Sequence, residues 1–215
     1  GGASGVGKTS LAINLAGVLD IPRVVATDDI RQIMRLMLAP ELMPSIHTSS
    51  YAAEPPDSEL ALLQPTVTGF REQSQAVCVG VRAIMSRCIE ESASVILDGV
   101  HLLPDFLDIK EVSKKAFVVQ ICLVLSDKTA YEARFAQRAA ESPARPADRY
   151  LSHIREILQV QDHILERNIA HENPIIEAGI IEDVTSAAVM MVSERLQEQQ
   201  EVQKAGRNGQ KKKKR

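Results

Sequence analysis

The chain has 215 residues, 45% of them hydrophobic and 3% aromatic, with a net charge of −3. That length suits one α/β domain with a real core plus a tail. No apolar run reaches the ~20 residues of a membrane-spanning helix and no charged-then-apolar leader opens the chain, so a cytoplasmic protein without a membrane span is expected. Residues 204–215 carry seven of the 25 basic groups and none of the 28 acidic ones. The remainder is therefore an acidic domain, poorly suited to a nucleic-acid backbone as its main partner.

The first element is a loop. Gly2-Ala3-Ser4-Gly5-Val6-Gly7-Lys8-Thr9, followed by Ser10, matches the phosphate-binding pattern G-x-x-x-x-G-K-[ST]. Small residues let main-chain amides curl around a polyphosphate, Lys8 reaches the outer phosphates, and the Thr9 hydroxyl is placed for Mg²⁺. A nucleoside triphosphate is the expected ligand. The loop should open a helix, and Lys8 to Leu19 has Leu11, Leu15, Val18 and Leu19 on one face. It should also follow a buried strand, yet only Gly1 precedes it, which points to a trimmed or mispredicted N-terminus.

Arg23 to Thr27 reads as a short strand, with Asp28-Asp29 capping a helix through Ile30, Ile33, Met34, Met37 and Leu38. Prolines then leave Met43 to Ala53 irregular. A helix is expected from Thr68 to Ser92, a strand at Ser94 to Asp98 and another at Phe117 to Leu125. Helices over Asp127 to Ala140 and Arg149 to His171 flank a Pro-broken loop, Glu141 to Asp148. Ile175-Ile176 is a last strand, and Ser186 to Gln197 a last helix. The alternation implies a doubly wound α/β fold with a parallel sheet. Residues 1–198 form the domain, with a lid at about 134–149, and residues 199–215 a disordered basic tail. Cys78, Cys88 and Cys122 read as buried free thiols. With no H-x-x-x-H or C-x-x-C spacing, no protein-ligated zinc is expected.

Candidate chemistry lies at strand ends. Asp98 closes its strand, where an acid beside a nucleotide loop holds the metal with Thr9. Gly99 follows it where ATP hydrolases carry a glutamate, and no Asn-Lys-x-Asp tetrapeptide is present. Both features favour transfer to a bound acceptor over hydrolysis or a GTP switch. Asp28 or Asp29 is placed to take the proton of an attacking hydroxyl, and Arg31 and Arg35 offer forks for a phosphorylated or carboxylated acceptor. His47, Thr48, Ser49 and Ser50 make a donor-rich loop for that acceptor, and His101 lies close enough in sequence to join it. Arg134, Arg138, Arg145 and Arg149 surround the lid, where arginines neutralise charge on a moving phosphoryl group.

Four segments carry a resemblance: the glycine loop; Ala-Thr-Asp-Asp-Ile-Arg-Gln-Ile-Met-Arg (26–35); Pro-Ser-Ile-His-Thr-Ser-Ser-Tyr (44–51); and Leu-Asp-Gly-Val-His-Leu-Leu-Pro (97–104). Together they resemble the 2-phosphoglycerate kinase family. The resemblance implies ATP- and Mg²⁺-dependent phosphorylation of 2-phosphoglycerate to 2,3-bisphosphoglycerate. It also places the chain near plant proteins of inositol phosphate metabolism. In the combined reading Lys8, Asp28, Asp98, Arg134 and Arg138 are catalytic, and Arg145 joins the loop in holding ATP. Two rivals share these residues: a kinase for another acceptor, such as a nucleotide, sugar acid or inositol phosphate, and a nucleotide-binding regulatory module without catalysis.

Overall fold

The computed structural model describes residues 1–53, 55, 62–141 and 147–212, without the side chains of residues 138–141, 147, 149 and 202–212. Helix α1 (Lys8–Val18) rises directly out of the glycine loop and buries Leu11, Ala12 and Leu15. Val18, expected on that face, is 61% exposed.

Strand β1 (Val24–Ala26) gives way at once to helix α2 (Thr27–Met37). The N-cap is Ala26 and makes no side-chain cap bond, so Asp28 and Asp29 are first-turn residues rather than caps. Ile30 is buried, whereas Ile33 and Met37 of the expected stripe are exposed. A 3₁₀ turn (Pro44–His47) interrupts the irregular stretch. Helix α3 (Pro65–Glu90) begins at proline, whose missing N–H costs nothing in the first turn, and so starts before Thr68.

After β2 (Ile96–Asp98), a 3₁₀ turn (Pro104–Phe106) and α4 (Ile109–Val112), the chain enters β3 (Cys122–Val124). Helices α5 (Lys128–Glu141), α6 (Ala147–Leu151) and α7 (Ile154–Ala170) follow, then β4 (Ile175–Glu177) and α8 (Ile181–Lys212). The helix expected over Arg149 to His171 is thus split at Ser152-His153. The last helix extends beyond the expected Ser186 to Gln197 at both ends.

Among the described residues the architecture is mixed α/β with two short parallel pairs. β1 pairs with β2 in the register Val24↔Ile96, Ala26↔Asp98. β3 pairs with β4 in the register Cys122↔Ile175, Val124↔Glu177. The apolar run Phe117 to Leu125 contributes only three residues to a ladder, because a strand needs a partner as well as a pattern. Gly1 stands between the pairs. Its N donates to Ile121 O and its O accepts from Leu123 N, both at 2.8 Å, and a Cβ on it would lie 3.4 Å from Leu102 O. Below it an apolar cavity of about 580 Å³ is walled by Leu11, Leu15, Ile96, Leu97, Val119 and Ile121.

One core packs β3 and β4 against Tyr131, Phe135, Ile157, Val160 and Ile164; a second packs Ile30 against Val77, Val81 and Met85 of α3. The three cysteines are buried free thiols, as their spacing predicts, and burial pushes the Cys78 thiol up to about 12. Among the described residues no helix is long and apolar enough to cross a membrane.

Candidate active site

Parallel strands deliver their C-terminal ends to one edge of a sheet, where open α/β proteins place their ligands. Here the register Ala26↔Asp98 sets Thr27-Asp28 beside Asp98-Gly99. The glycine loop meets the same edge. Gly5 and Gly7 hold φ of 90° and 95°, a region that side-chain-bearing residues rarely adopt, and Gly7 is the N-cap of α1. A Cβ on Gly5 would also lie 2.7 Å from the Phe135 ring. Lys8 Nζ folds over the loop and donates to Ala3 O at 2.7 Å.

Asp98 is 5% exposed. Its Oδ2 accepts the Thr9 hydroxyl at 2.6 Å, while Oδ1 is buried without a hydrogen-bond partner among the described residues. A bare buried carboxylate oxygen is costly to maintain. A hydroxyl and a carboxylate side by side, with one oxygen unspent, are a donor set that suits a hard divalent cation.

Around this pair opens a cleft of about 800 Å³. Ser4 to Ser10 form its floor, Asp28 and Arg31 one wall, Ser49, Ser50 and Tyr51 a second, and Arg134 with Ala178-Gly179 a third. Gly2 and Ala3 are buried beneath the loop. Asp28 leaves 69% of its side chain in solvent and accepts from Arg31 Nε at 3.3 Å. Arg31 also donates to Ile46 O and Thr48 O at 3.1 and 2.9 Å, so it both lines the cleft and holds the 44–48 turn. Arg134 donates to Val6 O at 2.9 Å and Gly179 O at 3.4 Å, bridging the glycine loop to the segment after β4.

Other expected site residues stand off the cleft. Asp29 is exposed beside it, and Arg35 donates to Gln32 Oε1 at 3.1 Å. His47 Nε2 lies 3.0 Å from Leu38 O, and Thr48 Oγ1 donates to Ser45 O at 3.3 Å. The side chains of Arg138 and Arg149, and Arg145 altogether, lie outside the described residues.

The pattern of motifs did not single out Tyr150 and Phe135, which stack at 4.8 Å on the cleft wall, or Gln73. Gln73 had a signal. With Ser74 it is one of two polar residues on the mostly apolar inward face of α3.

His101 is fully buried, one layer beneath the cleft. Thr27 Oγ1 lies 2.8 Å from its Nδ1 and Gln73 Oε1 2.9 Å from its Nε2. Burial lowers the imidazole pKa from 6.5 to about 3; Asp28 works against this, and Arg31 and Lys8 add to it. Between those values the unfolded chain binds a proton that the fold refuses, so the contribution is complete above 6.5 and is lost as pH falls towards 3. The expected slope is about 1.4 kcal/mol per pH unit over that window. Urea midpoints at pH 7.5 and 5 should converge in His101→Gln relative to the parent chain. An identical pH slope in both would show that His101 is not the group responsible.

No protein-family model matches the chain, and no solved structure does. Curated relatives do. The chain is 38% identical to the 2-phosphoglycerate kinase of Pyrococcus horikoshii over 186 residues, covering 86% of this chain and 60% of that protein. It is 37% identical to that of Pyrococcus furiosus over 195 residues, 91% of this chain and 63% of that protein. It is 35% identical to that of Methanopyrus kandleri over 203 residues, 91% of this chain and 60% of that protein. The chain thus spans about three fifths of the length of these relatives.

Proposed function

Because this chain belongs to the 2-phosphoglycerate kinase family, we propose that it transfers the γ-phosphoryl group of ATP to the free hydroxyl of 2-phosphoglycerate, giving 2,3-bisphosphoglycerate. The observation that carries this reading is the Thr9–Asp98 pair with its unspent carboxylate oxygen, facing Asp28 and Arg31 across one cleft. A magnesium ion held by Thr9 and Asp98 supplies charge neutralisation on the phosphates when bound.

The chain's own groups do the rest. Lys8 and the main chain of Ser4 to Ser10, which floor the cleft, hold the polyphosphate. Asp28, solvated and at a strand end, accepts the hydroxyl proton of the acceptor. Arg31 pairs with the acceptor's anionic group from the position where it already braces the 44–48 turn. Ser49 and Ser50 supply neutral donors beside it. Arg134 lies against the loop and moderates charge on the group in flight.

This assignment makes residues 1–198 a P-loop kinase domain whose two strand pairs belong to one doubly wound parallel sheet. The apolar cavity under Gly1, lined by Ile96 and Leu97 of β2 and by Leu123 of β3, supports this reading. Residues 199–215 form its basic tail. Three free thiols suit the reducing cytoplasm.

Labelled ATP offered with 2-phosphoglycerate, 3-phosphoglycerate, an inositol phosphate, a nucleoside monophosphate or water alone tests the proposal. Label should move to 2-phosphoglycerate in preference to every other acceptor. Label in another acceptor overturns the substrate, and binding of magnesium nucleotide with no product overturns the enzyme.

A further inference from the structure

Beneath the cleft, a buried chain of polar side chains joins the strand ends to the loop that carries Ser49 and Ser50. Thr27, Gln73 and His101 are each fully buried. Gln73 Nε2 donates to Ser45 O and, at 3.2 Å, to Thr48 O. Carbonyls only accept, so the Gln73 amide nitrogen must face the loop and its oxygen must face His101. His101 therefore presents Nε2–H to Gln73 Oε1 and leaves Nδ1 to accept the Thr27 hydroxyl. One tautomer satisfies every member, and burial keeps the ring neutral so that this tautomer persists. A second tie runs from His101 O, which accepts from Cys78 Sγ at 3.2 Å.

We propose that His101 is a positioning residue for the acceptor: through Gln73 it fixes the Ser45 and Thr48 carbonyls, and thereby the stance of Ser49, Ser50 and Tyr51 opposite Asp28. The relay begins at Thr27, next to Asp28, and ends at Thr48, next to Ser49. It sets the distance between the two walls that flank the acceptor and touches no residue of the glycine loop. Its action is on acceptor affinity and leaves nucleotide affinity alone. It rests on the reading of this cleft as a kinase site.

Two substitutions separate the ring's two nitrogens. His101→Gln brings an amide N–H to about the place of Nε2 and keeps the tie to Gln73. His101→Asn brings a carbonyl oxygen to about the place of Nδ1, keeping Thr27 and releasing Gln73. A buried hydrogen bond broken with one partner left unsatisfied is worth roughly ten- to a hundredfold in an equilibrium. In the full chain, His101→Asn should raise the KM for 2-phosphoglycerate by about tenfold or more, while kcat and the Kd for magnesium ATP move by less than about threefold. His101→Gln should recover most of the loss. Gln73→Glu, which still accepts from His101 but turns an oxygen on two carbonyls, should match His101→Asn.

Hydrogen exchange of the amides over residues 45–51 gives a readout independent of catalysis. It should accelerate in His101→Asn and Gln73→Glu and stay near the parent rate in His101→Gln. Equal effects of the Asn and Gln variants, a change in nucleotide Kd as large as that in KM, or unaltered exchange over 45–51 would overturn the proposal. A parent chain that transfers no phosphate would sink the kinase reading instead, and the exchange comparison would still judge the relay.

Discussion

Replacing Lys8 with alanine is expected to lower phosphoryl transfer by on the order of 10³-fold while leaving the melting temperature nearly unchanged. Lys8 is the first residue of α1, held at the cleft floor by the left-handed Gly7 before it, and its ammonium group already lies over the loop on Ala3 O. A positive charge fixed where negative charge accumulates in the transition state is typically worth 10²- to 10³-fold, and more when it is decisive. The structural cost is small. Alanine is the best helix former, Lys8 is half-buried, and the lost bond to Ala3 contributes about 1 kcal/mol. Turnover measured alongside thermal melting checks this. Activity within tenfold of the parent would remove Lys8 from the phosphate site.

Gly99→Ala should be the most damaging single methyl group in the site. A Cβ at that position lies 1.7 Å from Thr27 Oγ1 and 2.6 Å from Thr27 Cβ. Thr27 cannot retreat. It is fully buried at the start of α2, and its hydroxyl is committed to His101. Relief must come from moving the first turn of α2 away from β2, which carries Asp28 off the cleft and pulls on the relay beneath it. Overpacking of this kind costs about 3 kcal/mol or more, and a domain of this size melts roughly 2–4 °C lower per kcal/mol. A drop of about 6–12 °C with loss of transfer is the expected result. A variant that melts within about 2 °C of the parent would mean that α2 accommodates the methyl group.

Gly99 also shows where reading a sequence reaches its limit. As a string, Asp98-Gly99 is an acid without the glutamate that activates water in ATP hydrolases, and that absence favours transfer to an acceptor. In the fold the position admits no side chain at all, because the helix of the neighbouring strand crosses it. The chemistry inferred from the string is compatible with the packing, but the packing supplies a reason the string did not contain. His101 is a parallel case. Its place three residues beyond Asp98 suggested a ligand contact, whereas the turn after β2 drives the ring inward onto Thr27 and Gln73.

What the sequence determined by itself is whatever depends on neighbours along the chain. The glycine loop needs its left-handed residues at fixed offsets from Lys8, α1 must follow it, and an acid must end β2; each was legible because one to ten residues encode it. Tertiary structure alone decided which strands pair and which face of α2 meets the cleft. Val24 and Ile96 are far apart in the chain, and nothing local brings them together. Asp28 lines the site and Asp29 does not, since one residue along a helix turns a side chain by about 100°. The trimming of the Phe117 to Leu125 run to three paired residues, the placing of Arg134 against Val6, and the tautomer of His101 likewise depend on partners from distant segments. A polar group acquires its role from whatever the fold sets at hydrogen-bonding distance.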